Sequence, residues 1–348
     1  MKLPLRFLTL LLLPFSTLAI TDQTTEDLYQ QNCAACHGAD RLGLIGPALL
    51  PENLKRLRKK AAISTITSGR PATQMPPFGE KLSSEQISAL VDHIYQPLPE
   101  VPVWMEAEIS ASHKLFTPLD QLPAKPQHGA DPLNLFFVVE AGDHHATILD
   151  GDKLEPITRF KTRFALHGGA KYSPDGRFVY YATRDGWVTL FDLHSMQMVA
   201  EIRAGINTRN IAISSDGKLV AVGNYLPHNL VLLNANDLSL NSIIPVQSLG
   251  ESSRVSAVYD AAPRKSFILA LKDLPEIWEI PYELGKSGGW QHDYRADAAE
   301  GSPRFTPRKI KLKTPLDDFF FDQDYIFIMG ASRSGGGAVI DLDLGRKV

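Results

Sequence analysis

The chain of 348 residues contains two cysteines, and both stand in Cys33-Ala-Ala-Cys36-His37. Two thiols at this spacing, with a histidine directly after the second, form the attachment pattern of a c-type haem. Each sulfur adds across a vinyl group and the imidazole reaches the iron. A thioredoxin-like redox pair needs a preceding strand and a βαβ setting, and no strand pattern precedes Cys33. A zinc centre needs four ligands, and the chain has no further cysteine to complete one. The spacing therefore predicts one covalently held haem c with His37 on its iron.

A sixth ligand is expected from Met75, in Thr73-Gln74-Met75-Pro76-Pro77-Phe78, a proline-stiffened loop ahead of the last helix of the segment. A thioether there favours ferrous iron and raises the potential, which suits electron transfer. A lone methionine otherwise reads as core filling, but its place between the haem motif and the final helix favours ligation. His93, on that helix, is the rival. Gly46-Pro47 lies where its backbone can offer a carbonyl to the other nitrogen of His37 and fix the ring.

The elements that must hold these residues are helical. Thr24 and Thr25 suit the cap of a helix leading into the motif, with Glu26 and Asp27 at its positive end. Ser83-x-x-Gln86 is a capping box. Behind it, Ile87, Leu90, Val91, Ile94 and Tyr95 follow the spacing of a helix with one buried face. Before all of this, Lys2 and Arg6 precede an apolar run from Phe7 to Phe15, and Thr17-Leu18-Ala19 makes a cleavage site, so residues 1–19 read as a secretory signal. The apolar run is short for a membrane span of about twenty residues, and no later segment resembles one. Export to the periplasm, with no membrane span after cleavage, is the expectation. In an oxidising compartment a lone cysteine pair would close on itself, and haem attachment removes that fate.

Lysine and arginine number 36 against 39 acidic residues, a net charge of −3, and loss of Lys2 and Arg6 takes it to −5. That balance argues against nucleic acid and anionic membrane surfaces as partners. Length and composition predict a signal at 1–19, a cytochrome c domain at 20–96, a proline-rich connector at 97–130 and a β-rich domain at 131–348.

The β-rich part repeats itself. Ser173-Pro-Asp-Gly-Arg-Phe-Val179 recurs as Ser214-Ser-Asp-Gly-Lys-Leu-Val220. A second signature is an apolar strand running into a turn: Thr147 to Asp150, Thr189 to Asp192, Val231 to Asn234, Ile277 to Ile280 and Val339 to Asp341. A period of roughly 40–45 residues with about four strands per unit marks the blades of a β-propeller. A plain all-β sandwich would not predict self-similarity at this period. About five units are expected. His144-His145 is read as structural, because adjacent strand residues point to opposite faces.

The segment from Cys33 to Tyr95 resembles a class I cytochrome c. A c-type haem segment, a proline-rich connector and a blade repeat together resemble the cytochrome cd1 nitrite reductase family. In detail the chain resembles that family's dihydro-haem d1 dehydrogenase branch, at Cys33 to Gly43, Gly46 to Leu54, Arg163 to Gly169, Arg184-Asp-Gly186 and Pro315 to Asp322. The last segment is also similar to the haem-free d1-biosynthesis protein of the family. The resemblance implies an α-plus-β multidomain chain, an all-α cytochrome c domain before a propeller that is eight-bladed in the family and incomplete here. It implies haem d1 or its dihydro precursor in the central funnel, His167 as its iron ligand, and Arg184 and Arg209 on its carboxylates, with Arg254 and Arg333 as further candidates. Arginine forks pair with carboxylates in two bonds, which is the chemistry such a pocket needs.

The resemblance further implies an oxidoreductase of haem d1 biosynthesis within denitrification, oxidising a propionate of dihydro-haem d1 to an acrylate and passing electrons to haem c and an external acceptor. Nitrite reduction, or non-enzymatic carriage of electrons or haem d1, are the alternative functions, and a cytochrome c fused to an unrelated contact propeller is a third. Partners would be the acceptor and proteins of haem d1 biosynthesis or nitrite reduction. Distal catalytic residues come from later blades in the relatives, so none is assigned, and a fragmentary or frame-shifted gene is the expected reason.

Overall fold

The computed structural model describes residues 24–55, 57–71, 73–100, 102–140, 142–163, 166, 168–283, 304–332 and 335–348. The expected signal at 1–19, His167 and Arg333 lie outside the described residues.

The chain opens with helices. Thr24 caps α1 (Thr25–Asn32): its hydroxyl accepts from the Asp27 amide, and the Asp27 carboxylate accepts from the Thr24 amide. That reciprocal pairing satisfies two amides the helix cannot use itself. The haem motif forms the short α2 (Ala34–His37), followed by α3 (Pro51–Leu54) and α4 (Lys59–Ser68). Ser83 and Gln86 close the second capping box and start α5 (Ser84–Ile94), which buries Ile87, Leu90, Val91 and Ile94. Ile87, Leu90 and Ile94 pack with Leu28 and Tyr29 of α1, so α1 and α5 share one core.

The proline-rich stretch is no free linker. Its helix α6 (Glu106–Ser112) buries Ile109 in the propeller core. Lys114–Leu115 then pairs antiparallel with Ala200 and Glu201 as an added outer strand, and the Gln127 amide donates to the His194 carbonyl at 2.8 Å. This belt wraps the outer rim.

Five antiparallel blade sheets follow in chain order, with a two-stranded ribbon of Gln247–Ser248 and Glu251–Ser252 between the third and fourth. Blade one has three strands (Leu135–Glu140, His145–Asp150, Glu155–Lys161). Blades two to five have four from the repeat itself. They are Lys171–Tyr172, Phe178–Ala182, Trp187–Asp192 and Gln197–Arg203; Asn207–Ile213, Leu219–Leu226, Asn229–Asn234 and Leu240–Pro245; Val255–Ala261, Ser266–Leu271, Glu276–Pro281 and Arg308–Lys311; and Asp318–Phe321, Phe327–Ala331, Gly337–Asp341 and Arg346–Lys347. Each apolar signature from the sequence falls on the third repeat strand of its blade, and blade one lacks only a first strand in the described residues.

The two Ser-x-Asp-Gly copies are the same turn. Ser173 Oγ accepts the Phe178 amide and Ser214 Oγ the Leu219 amide, each at 2.9 Å, while Gly176 and Gly217 take φ of 73° and 69°. Both turns join a first to a second strand, so both lie at one end of the propeller. Connections between second and third strands, and crossings between blades, lie at the opposite end.

The core is divided into layers between neighbouring sheets. Ile148, Val179 and Phe191 fill the first, Val188, Val220 and Leu233 the second, Leu232, Phe267 and Trp278 the third, and Ile268, Phe319 and Ile340 the fourth. Alternation along each strand supplies one face to each layer.

Candidate functional site

Cys33 ends α1 and Cys36 lies on the single turn of α2, so the helical geometry puts both thiols and His37 within one and a half turns. Both thiols are free and half-buried; burial and the neighbouring Cys36 push the Cys33 thiol up to about 11. His37 is 9% exposed. Its Nδ1 donates to the Pro47 carbonyl at 2.8 Å, which fixes the tautomer and leaves Nε2 as the lone-pair nitrogen. Burial lowers the basicity of this ring, keeping the neutral form a metal requires. Gly46 is required here, because a Cβ on it would stand 2.9 Å from the imidazole Cε1.

The loop of Met75 is tied to the end of α4. The Phe78 and Gly79 amides donate to the Ile66 and Thr67 carbonyls at 2.9 and 3.0 Å. Gly69 stops the helix at φ 71°, and a Cβ on it would meet the Met75 carbonyl at 2.8 Å. His93 turns elsewhere: its ring packs on Tyr29, and its Nε2 lies 3.5 Å from Glu26. Exposed Leu44, Ile45 and Ile63 leave large apolar side chains uncovered in the same helical unit, the surface a macrocycle needs. Two free thiols, a directed imidazole and this apolar surface fit a covalent haem.

On the propeller, Arg184 lies in a second-to-third-strand turn and Arg254 in a crossing between blades, so these two belong to one end. Arg209 stands on the first strand of blade three, where its Nε donates to the Ser256 carbonyl at 3.0 Å and its guanidinium lies 3.3 Å from Asp318. Asp318 also accepts from Tyr259 at 2.9 Å; burial first, and then Asp318, push that phenol up to about 12. A cavity of about 170 Å³ opens here between the first strands of four blades, lined among others by Gly169, Lys171, Arg209, Tyr259 and Asp318. Gly168 and Gly169 have no atom within 4 Å of where a Cβ would stand, so the edge next to position 167 is open. An open glycine edge beside Lys171, Arg209 and a phenol, with Asp318 holding Arg209 in place, suits a flat macrocycle whose carboxylates meet the two cations.

Arg184 sits in the Thr183-to-Gly186 turn of blade two, half-buried, with its carbonyl accepting the Thr208 amide at 2.9 Å. Arg254 does not line the cavity; Asp273 holds it by two side-chain bonds, Nε at 2.8 Å. His145 Nδ1 is 3.0 Å from the Asp143 carbonyl, while His144 lies in the preceding turn at φ 62° rather than on the strand. No group of three or more metal-ligating His, Cys, Asp or Glu occurs among the described residues.

Sequence reasoning missed Asp318, Tyr259 and Lys171 at the cavity. Their blades had been placed, but nothing in one strand shows which residue faces the axis until neighbouring first strands are set side by side. It also missed Arg41, whose guanidinium donates to the His93 and Gln96 carbonyls and joins the haem loop to the end of α5.

A cytochrome-like helical unit carrying Cys-x-x-Cys-His, seated on the propeller end where the Arg209 cavity opens, defines a cytochrome c unit joined to a β-propeller. The family described as Cytochrome D1 heme domain matches residues 130–347, and this chain belongs to it. The family described as Cytochrome C oxidase, cbb3-type, subunit III matches residues 21–94.

The dihydro-heme d1 dehydrogenase of Pseudomonas aeruginosa is 54% identical over 325 residues, which cover 93% of this chain and 62% of that protein. The nitrite reductase of Stutzerimonas stutzeri is 26% identical over 277 residues, 74% of this chain and 48% of that protein. A solved structure of dihydro-heme d1 dehydrogenase NirN in complex with DHE superposes with a TM-score of 0.84 at 53% identity, covering 93% of this chain and 66% of that one. This chain thus spans about three-fifths of its dehydrogenase relative.

Proposed function

We propose that the protein is a periplasmic oxidoreductase of haem d1 biosynthesis that binds dihydro-haem d1 at the propeller mouth and oxidises one propionate to an acrylate. The change removes two protons and two electrons from the side chain, and the electrons leave for an external acceptor. Haem c, when bound, supplies a one-electron relay. Cys33 and Cys36 would hold it, His37 would ligate it through Nε2, and Met75 is the proposed further ligand. His167 is the proposed ligand of the d1 iron, and Arg209 and Arg184 the proposed partners of the tetrapyrrole carboxylates, with Arg254 and Arg333 more remote candidates. The observation that carries the reading is the seating of the haem-motif loop on the same propeller end as the Arg209 cavity.

The test uses the full chain, matured with haem c and mixed with dihydro-haem d1. Formation of the acrylate with reduction of haem c supports the reading, and His167→Ala is expected to abolish the d1 spectral change while leaving the haem c spectrum intact. Binding without side-chain oxidation would replace the enzyme by a carrier. Nitrite turnover in place of acrylate formation would make it a nitrite reductase.

A further inference from the structure

Arg203, at the end of the last strand of blade two, is a buried cation outside the cavity lining and 6% exposed. Among the described residues no acidic side chain bonds to it. Its guanidinium instead donates to three carbonyls from distant parts of the chain: Leu42 at 2.5 Å, Gly43 at 3.4 Å and Asp185 at 2.8 Å. Trp104 of the belt covers its face at 4.6 Å, and the indole Nε1 donates to the Arg203 carbonyl at 2.9 Å. The Arg203 amide donates to Ser112 Oγ at 2.8 Å, so α6 holds it as well. Burying a guanidinium without fully bonding it is costly, and here three carbonyls and an aromatic face satisfy it.

The ends of this cluster lie beside the two proposed haem sites. Gly43 donates to the His37 carbonyl at 2.8 Å. Asp185 follows Arg184 directly, and Thr183 makes a β-bridge to Leu166, the neighbour of His167. One short chain of hydrogen bonds therefore runs from the His37 loop through Arg203 to the Arg184 turn. An apolar seal of Leu42, Ala48, Leu50, Trp104, Ile206 and Leu226 surrounds the junction. The Asp185 carboxylate is 2% exposed, and one of its oxygens has no hydrogen-bond partner.

We propose that Arg203 is a positioning residue that latches the haem c loop onto the propeller and so sets the distance and path between the two haem sites. The inference rests on the proposed function for its electron-transfer consequence, while the latch itself is a statement about this chain's own contacts. Displacing an element far from the reacting atoms by about 1 Å can cost on the order of a hundredfold in rate. Lysine cannot replace the planar fork that meets three carbonyls at once.

The test compares wild type, Arg203→Met, Arg203→Lys and Trp104→Phe as full-length holoproteins. Hydrogen exchange over residues 38–49 reads the latch, and stopped-flow reduction of haem c after mixing with dihydro-haem d1 reads the path. Arg203→Met is expected to speed exchange of the Gly43 and Leu49 amides at least tenfold and slow internal electron transfer by about tenfold or more, with d1 binding at the propeller kept. Arg203→Lys should recover part of the exchange protection and little of the transfer rate. Trp104→Phe keeps an aromatic face over the guanidinium and should weaken both effects, which provides a readout if Arg203→Met does not fold. Unchanged exchange at 38–49 in Arg203→Met and Trp104→Phe would overturn the latch. Exchange that rises while haem c reduction keeps its wild-type rate would leave Arg203 merely structural and overturn the path. If wild type itself shows no haem c reduction, the proposed function fails, and the exchange data still decide the latch.

Discussion

Asp185 shows how one side chain can be shaped by two parts of a molecule. Burial pushes its carboxyl up to about 6, against the opposing pull of the Thr183 hydroxyl, Arg203 and Arg163. In the unfolded chain the same group titrates near 3.8. Between these values the folded form holds the extra proton, so stability falls as pH rises from about 4 to about 6. A shift of this size corresponds to roughly 3 kcal/mol. Asp185→Asn should flatten that part of the stability profile, measured by denaturant unfolding at several pH values. Asp260, pushed up to about 6 mainly by burial, slopes the same way and must be held constant in the comparison. The grouping of Cys33, Cys36 and His37 on little more than one helical turn was legible from spacing alone, because five consecutive residues in helical geometry cannot lie apart. Asp185 was quoted only as part of a motif, since burial depends on blade neighbours that no local pattern reveals.

Gly186 shows the same division at the level of an element. The second-to-third-strand turn of blade two needs φ 94° there, and a Cβ would stand 1.9 Å from the Gly205 carbonyl oxygen. Gly205 in turn faces the side chain of Asn224, fully buried, which donates to the Ala204 carbonyl at 2.9 Å. Two backbones and a buried side-chain amide are thus stacked around the turn that carries Arg184. Gly186→Ala should cost about 3 kcal/mol or more, seen as a fall in Tm with weakened d1 binding. The helices and their caps were legible because α1 and α5 close their capping boxes within four residues. The belt was not, because proline content marks a segment as non-helical and extended without telling what it lies against. Ile109, Trp104 and the strand Lys114–Leu115 find their partners some ninety positions away, beyond the reach of any periodicity.

The whole propeller is a stack of nearest-neighbour layers, and stability in such a stack is a sum over adjacent sheets. Trp278 is 1% exposed in the layer between blades three and four, with its indole nitrogen donating to Glu276 at 2.8 Å. Trp278→Ala should cost about 3–5 kcal/mol. It should loosen blades three and four first while the α1–α5 core keeps its amide protection, which residue-resolved hydrogen exchange would show. The blade architecture was readable from the repeat because the Ser173 and Ser214 turns recur with the same hydrogen bonds. How the helical unit sits on the blades was not readable, since Arg203 ends an ordinary strand.

The belt has one more consequence, in how copies of the molecule meet. The outer strands of blades one and four present charge along their length, with Glu155, Arg159 and Lys161 on one and Arg308, Lys309 and Lys311 on the other, and that of blade three ends in Pro245. Such edges resist pairing with a foreign strand. The outer strand of blade two, Gln197–Arg203, is rich in apolar residues and would be a template for edge-to-edge association. Lys114–Leu115 occupies part of that edge from within the same chain, so the segment that delivers Trp104 to the latch also shields this edge.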